Sequence, residues 1–257
     1  MTQTGDGTVG KALDVLDRIA SFGRPVRFSE LLDTAPYPKA TLYRFVQTLT
    51  HQGMLHFDAE RQTYAPGLRL VRLAHAAWRE TSLAPIARPH LDRLAEVTRE
   101  SVHLAQMDHG HVIFVDKRKV TNVFETLAQS GKIAPSYCTG VGKAILAFLP
   151  EERREKALKL QAFVPYTPNT HRSVESLLPE LAQIRERGIA FDREEHEQGI
   201  ISIAAPILGN DGAVIGSISV ATSTSRRSLD NLEELQPDVL ATASGIAADA
   251  VPWQFPT

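Results

Sequence analysis

The sequence predicts an α+β protein with an N-terminal winged helix-turn-helix, a linker helix, and a larger domain built on an antiparallel sheet. Three observations predict it. Helix, helix, helix and hairpin follow one another across residues 11–67. The third helix carries a face of cationic and amide side chains. From residue 101 the apolar spacing turns from helical to strand-like. Turn signals Asp108-His109-Gly110 and Gly209-Asn210-Asp211-Gly212 then separate apolar-rich segments. A length of 257 residues, 43% of them hydrophobic, suits two globular domains.

The first helix spans 11–21, with Leu13, Leu16, Ile19 and Ala20 at helical spacing. A short second helix covers 28–34, with Ser29 placed to cap it. Residues 38–52 form the third, whose inner face is Leu42, Phe45, Val46 and Leu49. Lys39, Thr41, Tyr43, Arg44 and Gln47 are left outside, and such groups can meet phosphates and base edges. Segments 54–57 and 62–65 flank Asp58-Ala59-Glu60-Arg61 as a wing, with Arg61 at its tip a candidate for phosphate or minor-groove contact. A solvated polar face would use the same residues. The four elements in order favour double-stranded DNA as the partner.

Pro66-Gly67 closes the wing, and 68–81 reads as a linker helix with Leu70, Val71, Ala74 and Ala77 on one face. Pro85 and Pro89 interrupt it, and a helix resumes over 87–99. The expected boundaries are 1–67 for the DNA-binding domain, 68–84 for the linker and 85–257 for the second domain. That domain opens with strands at 101–107 and 111–117. Helices follow at 139–149, 151–160 and 177–187, the last with Gly188 as its C-terminal cap. A strand at 189–192, a hairpin of 200–208 with 213–221 and a closing helix over 229–250 complete it.

A single cysteine, Cys138, excludes internal disulfides and cysteine-based metal sites. Residues 1–10 lack the basic and apolar pattern of a signal peptide, and no run of about 18 apolar residues exists. A cytoplasmic protein without membrane contact is expected. The net charge of −2 argues against a general nucleic-acid coat. Residues 1–75 nonetheless hold nine basic against seven acidic side chains, which suits DNA contact through one focused face.

In the second domain, residues 137–144 (YCTGVGKA) form a loop entering a helix that Thr139 can cap. Its glycines permit close backbone approach by a ligand, and helix N-terminal amides favour an anion. They equally permit tight helix packing. The GxxxxGK[ST] phosphate loop is absent. Ser217 and Ser219 share one strand face, Ser202 and Ala204 alternate with isoleucines on the partner strand, and Asp192 ends a nearby strand. Such a face either meets solvent or floors a small polar site. Glu195, His196 and Glu197, or His103, His109 and His111, could suggest a metal. A charged loop, a strand and a turn account for them more simply. Cys138 with His103 and Asp192 is the one nucleophilic combination, and a buried thiol is the commoner role. No catalytic residue, metal or cofactor is expected.

These residues resemble the IclR-type transcriptional regulators over nearly the whole chain, from about Val9 to Ala250. The resemblance rests on KALDVL from Lys11, PKATLYR from Pro38 and YAPGLRL from Tyr64, with TGVGKAILA from Thr139. It rests above all on RERGIAFDREEHEQG from Arg185 together with IAAP from Ile203. It implies a winged helix joined to a GAF-like effector domain. It also implies a homodimer or homotetramer on operator DNA, and control of catabolic or stress operons, usually as a repressor. The family's effector cradle corresponds to Gly140, Val141, Asp192, Ser202 and Ser219, which would hold a small organic acid or aromatic. Ala40 and Tyr43 depart from the family's usual serine and histidine, so the operator sequence does not carry over. Tyr137 stands where histidine is common, and Ala221 where small-acid binders can have serine. These departures imply an effector bulkier or less polar than a simple keto acid. The alternatives are an enzyme on the same scaffold, for instance a thiol reductase, and a protein-interaction module.

Overall fold

The computed structural model describes residues 7–119 and 126–251. The chain divides into two compact units between Glu80 and Thr81.

The first unit contains α1 (Thr8–Ser21), β1 (Val26–Arg27), α2 (Phe28–Thr34), α3 (Lys39–His51), β2 (Leu55–Asp58), β3 (Thr63–Pro66) and nearly all of α4 (Leu68–Thr81). Its core is the apolar face that periodicity predicts. Val15 and Ile19 of α1 meet Leu31 of α2, and Leu42, Phe45, Val46 and Leu49 of α3, closed by Leu55 and Tyr64 of the wing. The wing sheet has the order β1-β3-β2. Strand β1 is an addition to the expected elements. It pairs Val26 with Tyr64 and Arg27 with Thr63, and two residues are too few to show a period. Ser29 lies inside the first turn of α2 and is not its cap. The Glu30 carboxylate accepts from the Arg27 backbone amide at 2.9 Å and pairs with Arg24.

The second unit contains α5 (Ala84–Thr98), β4 (Ser101–Asp108), β5 (His111–Arg118), β6 (Ile133–Pro135), α6 (Gly140–Phe148), α7 (Glu151–Lys159) and α8 (Val174–Arg187). Then come β7 (Ala190–Arg193), β8 (Ile200–Leu208), β9 (Val214–Ser223), α9 (Leu229–Glu233) and α10 (Gln236–Asp249). Its antiparallel sheet has the order β6-β5-β4-β9-β8-β7. Helix α6 packs with α8 over one face, and α5 and α10 pack together against the other.

Proline accounts for most boundary differences. Pro85 sits in the first turn of α5, where a missing N–H leaves no helical bond unmade, so the helix starts at Ala84 and continues through Pro89. Helix α8 begins at Val174, because the Ser173 hydroxyl accepts from the Ser176 amide; Pro179 lies within it. The closing helix is two helices, with Pro237 in the first turn of the second. Strand β6, which pairs Ile113 with Ile133, was too short to be legible. No helix among the described residues is long and apolar enough to cross a membrane.

Candidate functional site

The polar face of α3 stands clear of its own unit's core. Lys39, Tyr43, Arg44 and Gln47 are exposed and Thr41 is half-buried. Tyr43 rests edge-on against Phe28 with ring centroids 5.7 Å apart, which fixes the ring while half of it meets solvent. The Arg44 guanidinium lies 5.9 Å from the Phe45 ring. Gln47 donates to the Tyr64 hydroxyl at 3.5 Å, linking the helix to the wing. In the wing turn, the Asp58 carboxylate accepts the amides of Glu60 and Arg61. The Arg61 side chain, 80% exposed, projects 3.9 Å from the same carboxylate.

In the second unit a cavity opens between the sheet and the start of α6. Counted together with the open solvent at its mouth, its empty space is about 410 Å³. All five predicted cradle residues, Gly140, Val141, Asp192, Ser202 and Ser219, line it. The sheet register brings the floor together. Asp192 pairs with Ser202, and Ser202 with Ala221; one step along, His103 pairs with Ser219, and Ser219 with Ala204. The serine face is thus turned inward, and Ser202 and Ser219 are nearly fully buried. Above it, the Thr139 hydroxyl accepts from the Gly142 amide at 3.2 Å and caps α6. A Cβ on Gly140 would come 2.7 Å from the Ser202 hydroxyl, so the helix start lies directly on β8.

Burial governs the titration of this site. Desolvation, and after it the Glu195 charge, push the Asp192 carboxyl up to about 7. Burial, with Lys117 and Lys119 nearby, pushes the His103 imidazole down to about 3, so it is neutral. One His103 nitrogen lies 3.3 Å from the Thr126 hydroxyl and the other 3.5 Å from that of Ser219. Lys117 donates to Thr126 at 2.8 Å.

Sequence reasoning weighed His103 as a metal ligand and beside Cys138 and Asp192, not as a cavity residue, and placed Phe114, Thr126 and His196 nowhere in the cavity they line. His103 alone carried a signal, a polar residue in an otherwise apolar strand. The other three reach the cavity through β5 and two loops, which periodicity does not locate. The residues weighed for metal diverge. Glu195 bonds Lys143, His196 stands against the Tyr166 ring, and Glu197 accepts from the Leu127 amide. His171, Glu180 and Glu195 do converge, but the Lys143 ammonium occupies that convergence, bonding Glu195 and lying 2.8 Å from Glu180.

Residues 75–248 match the model described as the C-terminal domain of bacterial IclR transcriptional regulators, and residues 8–59 the IclR helix-turn-helix domain. The chain belongs to the IclR family of transcriptional regulators. It is 29% identical over 251 residues to the regulator KdgR of Escherichia coli, covering 97% of this chain and 95% of that one. It is 30% identical over 238 residues to the Escherichia coli repressor IclR, covering 92% and 87%. The crystal structure of Thermotoga maritima IclR superposes with a TM-score of 0.73 at 29% identity, covering 94% of this chain and 97% of that one. As an IclR-family chain it is a DNA-binding regulator with a ligand-binding C-terminal domain, not an enzyme. Cys138 agrees with that: it is fully buried, and burial with the Asp192 charge pushes its thiol far above the usual range.

Proposed function

We propose that this chain is a cytoplasmic repressor of a catabolic operon that releases or reshapes its operator contact on binding a small organic acid or aromatic metabolite. The convergence of the five cradle residues on one cavity carries this reading. Lys39, Thr41, Tyr43, Arg44 and Gln47 of α3 enter the major groove, and Arg61 of the wing reaches a phosphate or the minor groove. A homodimer, alone or within a homotetramer, sets two α3 helices about one helical turn apart. The linker is α4, whose Leu68, Val71 and Leu73 are exposed in the single chain. The second unit works as a GAF-like effector domain: the α6 amides of Gly140 and Val141 meet an acidic group, with Asp192, Ser202 and Ser219 around it.

The test is fluorescence anisotropy on a tiled set of DNA from upstream of the protein's own gene. Tight, salt-sensitive binding to one tile is expected, and Arg44→Ala should abolish it while leaving ligand binding intact. Equal operator affinity in variant and wild type would remove α3 as the reading helix.

A further inference from the structure

We propose that Asp192 sets the charge of the ligand by entering the complex as the neutral acid, so that the cavity takes up an anionic acid together with one proton. This rests on the effector reading of the cavity. The first turn of α6, a nine-residue helix, lines the cavity with Gly140 and Val141, and that end of a helix favours an anion. Asp192 lines the same space and is 7% exposed. A Cβ on Gly140 would stand 3.5 Å from the Asp192 backbone nitrogen, so the helix start and β7 are in contact. An anion on the α6 amides therefore shares one cavity with the Asp192 side chain. Two carboxylates sharing one small desolvated space do not both stay ionised. A shared proton turns the repulsion into a hydrogen bond, with Asp192 as donor.

Of the charges around the cavity, the Lys117 ammonium of β5 is held by the Thr126 hydroxyl and the Ala128 carbonyl on the His103 side, and those at Asp192 are mostly acidic. From the loop after β7, the Glu195 amide donates to Asp192 Oδ1 at 2.8 Å and the His196 amide also bonds this carboxyl; both favour its charged form, but burial and the Glu195 charge outweigh them. Glu195 is 2% exposed, and its Oε2 has no partner among the described residues. Among the described residues, Lys143 of α6 is the ammonium acting on Asp192, and it bridges Glu195 and Glu180 of α8. Glu180 also holds His171 and Arg193. Burial lowers His196, His103 from β4 is neutral, and Cys138 ahead of α6 stays a thiol. With Asp192 raised to about 7, the proton is at hand near neutral pH.

Calorimetric titration of the full-length protein with benzoate and with acetate, between pH 6 and 9, tests this. Wild-type affinity should fall about tenfold per pH unit above the Asp192 midpoint, the slope for one linked proton. Asp192→Asn keeps a donor that does not titrate, and its affinity should be flat with pH. A flat wild-type profile, or a variant profile as steep as wild type, overturns the role of Asp192 and leaves the cavity as the ligand site. Failure of both probes to bind wild type at pH 6 overturns the effector reading and this inference with it. Carbon-13 NMR titration of the ligand-free protein judges Asp192 independently. A carboxyl resonance titrating near neutrality, absent in Asp192→Asn, supports the assignment; a midpoint in the ordinary carboxylate range overturns it.

Discussion

Two glycines in one motif answer to different constraints. A Cβ on Gly142 would lie 2.4 Å from the Ser136 carbonyl oxygen and 2.5 Å from its Cα, a clash with backbone that no rotamer relieves. A Cβ on Gly140 meets only the Ser202 hydroxyl closely, and a serine can turn. Gly142 is thus a packing glycine, and Gly140 the one that borders the cavity. The sequence showed both as glycines before a helix and left ligand approach and tight packing equally open, because only the three-dimensional neighbour separates them. Gly142→Ala is expected to lower stability by about 1–3 kcal/mol, the usual range for overpacking, as read by urea unfolding. An unchanged midpoint would show that α6 can move off the Ser136 backbone. The floor residues were legible for a related reason. Asp192, Ser202 and Ser219 lie in strands whose alternation assigns them a face, whereas Thr126 and His196 lie in loops.

Among the elements, the ones longest and most regular in apolar spacing matched best: α1, α3, β4, β5, β8 and β9 fall within a few residues of where periodicity sets them. The differences sit at prolines, which a helix accepts in its first turn, and at strands of two or three residues. An ion network joining α6, α8 and the loop after β7 was invisible to such reasoning, since its members lie 37 and 52 positions from Lys143. Lys143 is fully buried, and its ammonium is held by Glu180 and Glu195. Glu180 has other support: burial works against its charge, yet the His171 hydrogen bond and Lys143 hold it near 2. Glu195 has less, and burial raises it despite Lys143. Lys143→Met therefore strands a buried carboxylate, and a loss of about 3–5 kcal/mol is expected. Lys143→Met with Glu195→Gln should recover part of that loss, because the stranded charge is gone. A double variant less stable than the single one, measured by the same unfolding assay, would mean that packing around the lysine stem outweighs the ion pair.

At the scale of the molecule, the residues proposed to read DNA and those proposed to hold a ligand belong to different compact units, each with its own core. Charge divides in the same sense: residues 1–75 carry a small positive excess, and the rest of the chain is acidic. No side chain serves both tasks, so a ligand can alter operator affinity only by favouring one global arrangement over another. Coupling of about 1–3 kcal/mol corresponds to a change of roughly 5- to 150-fold in operator affinity. Linkage makes that factor reciprocal: operator DNA must change ligand affinity by the same ratio. Ligand titrations with and without saturating operator DNA, set beside operator titrations with and without ligand, should give equal ratios. Ser219→Leu places an apolar side chain on the cavity floor and should abolish ligand uptake, and with it the ligand's effect on DNA, while operator affinity stays at the ligand-free value. A normal ligand response from that variant would take β9 out of the effector site. Loss of operator affinity in the ligand-free variant would mean that the second unit's core, rather than its occupancy, is what the DNA-binding unit senses.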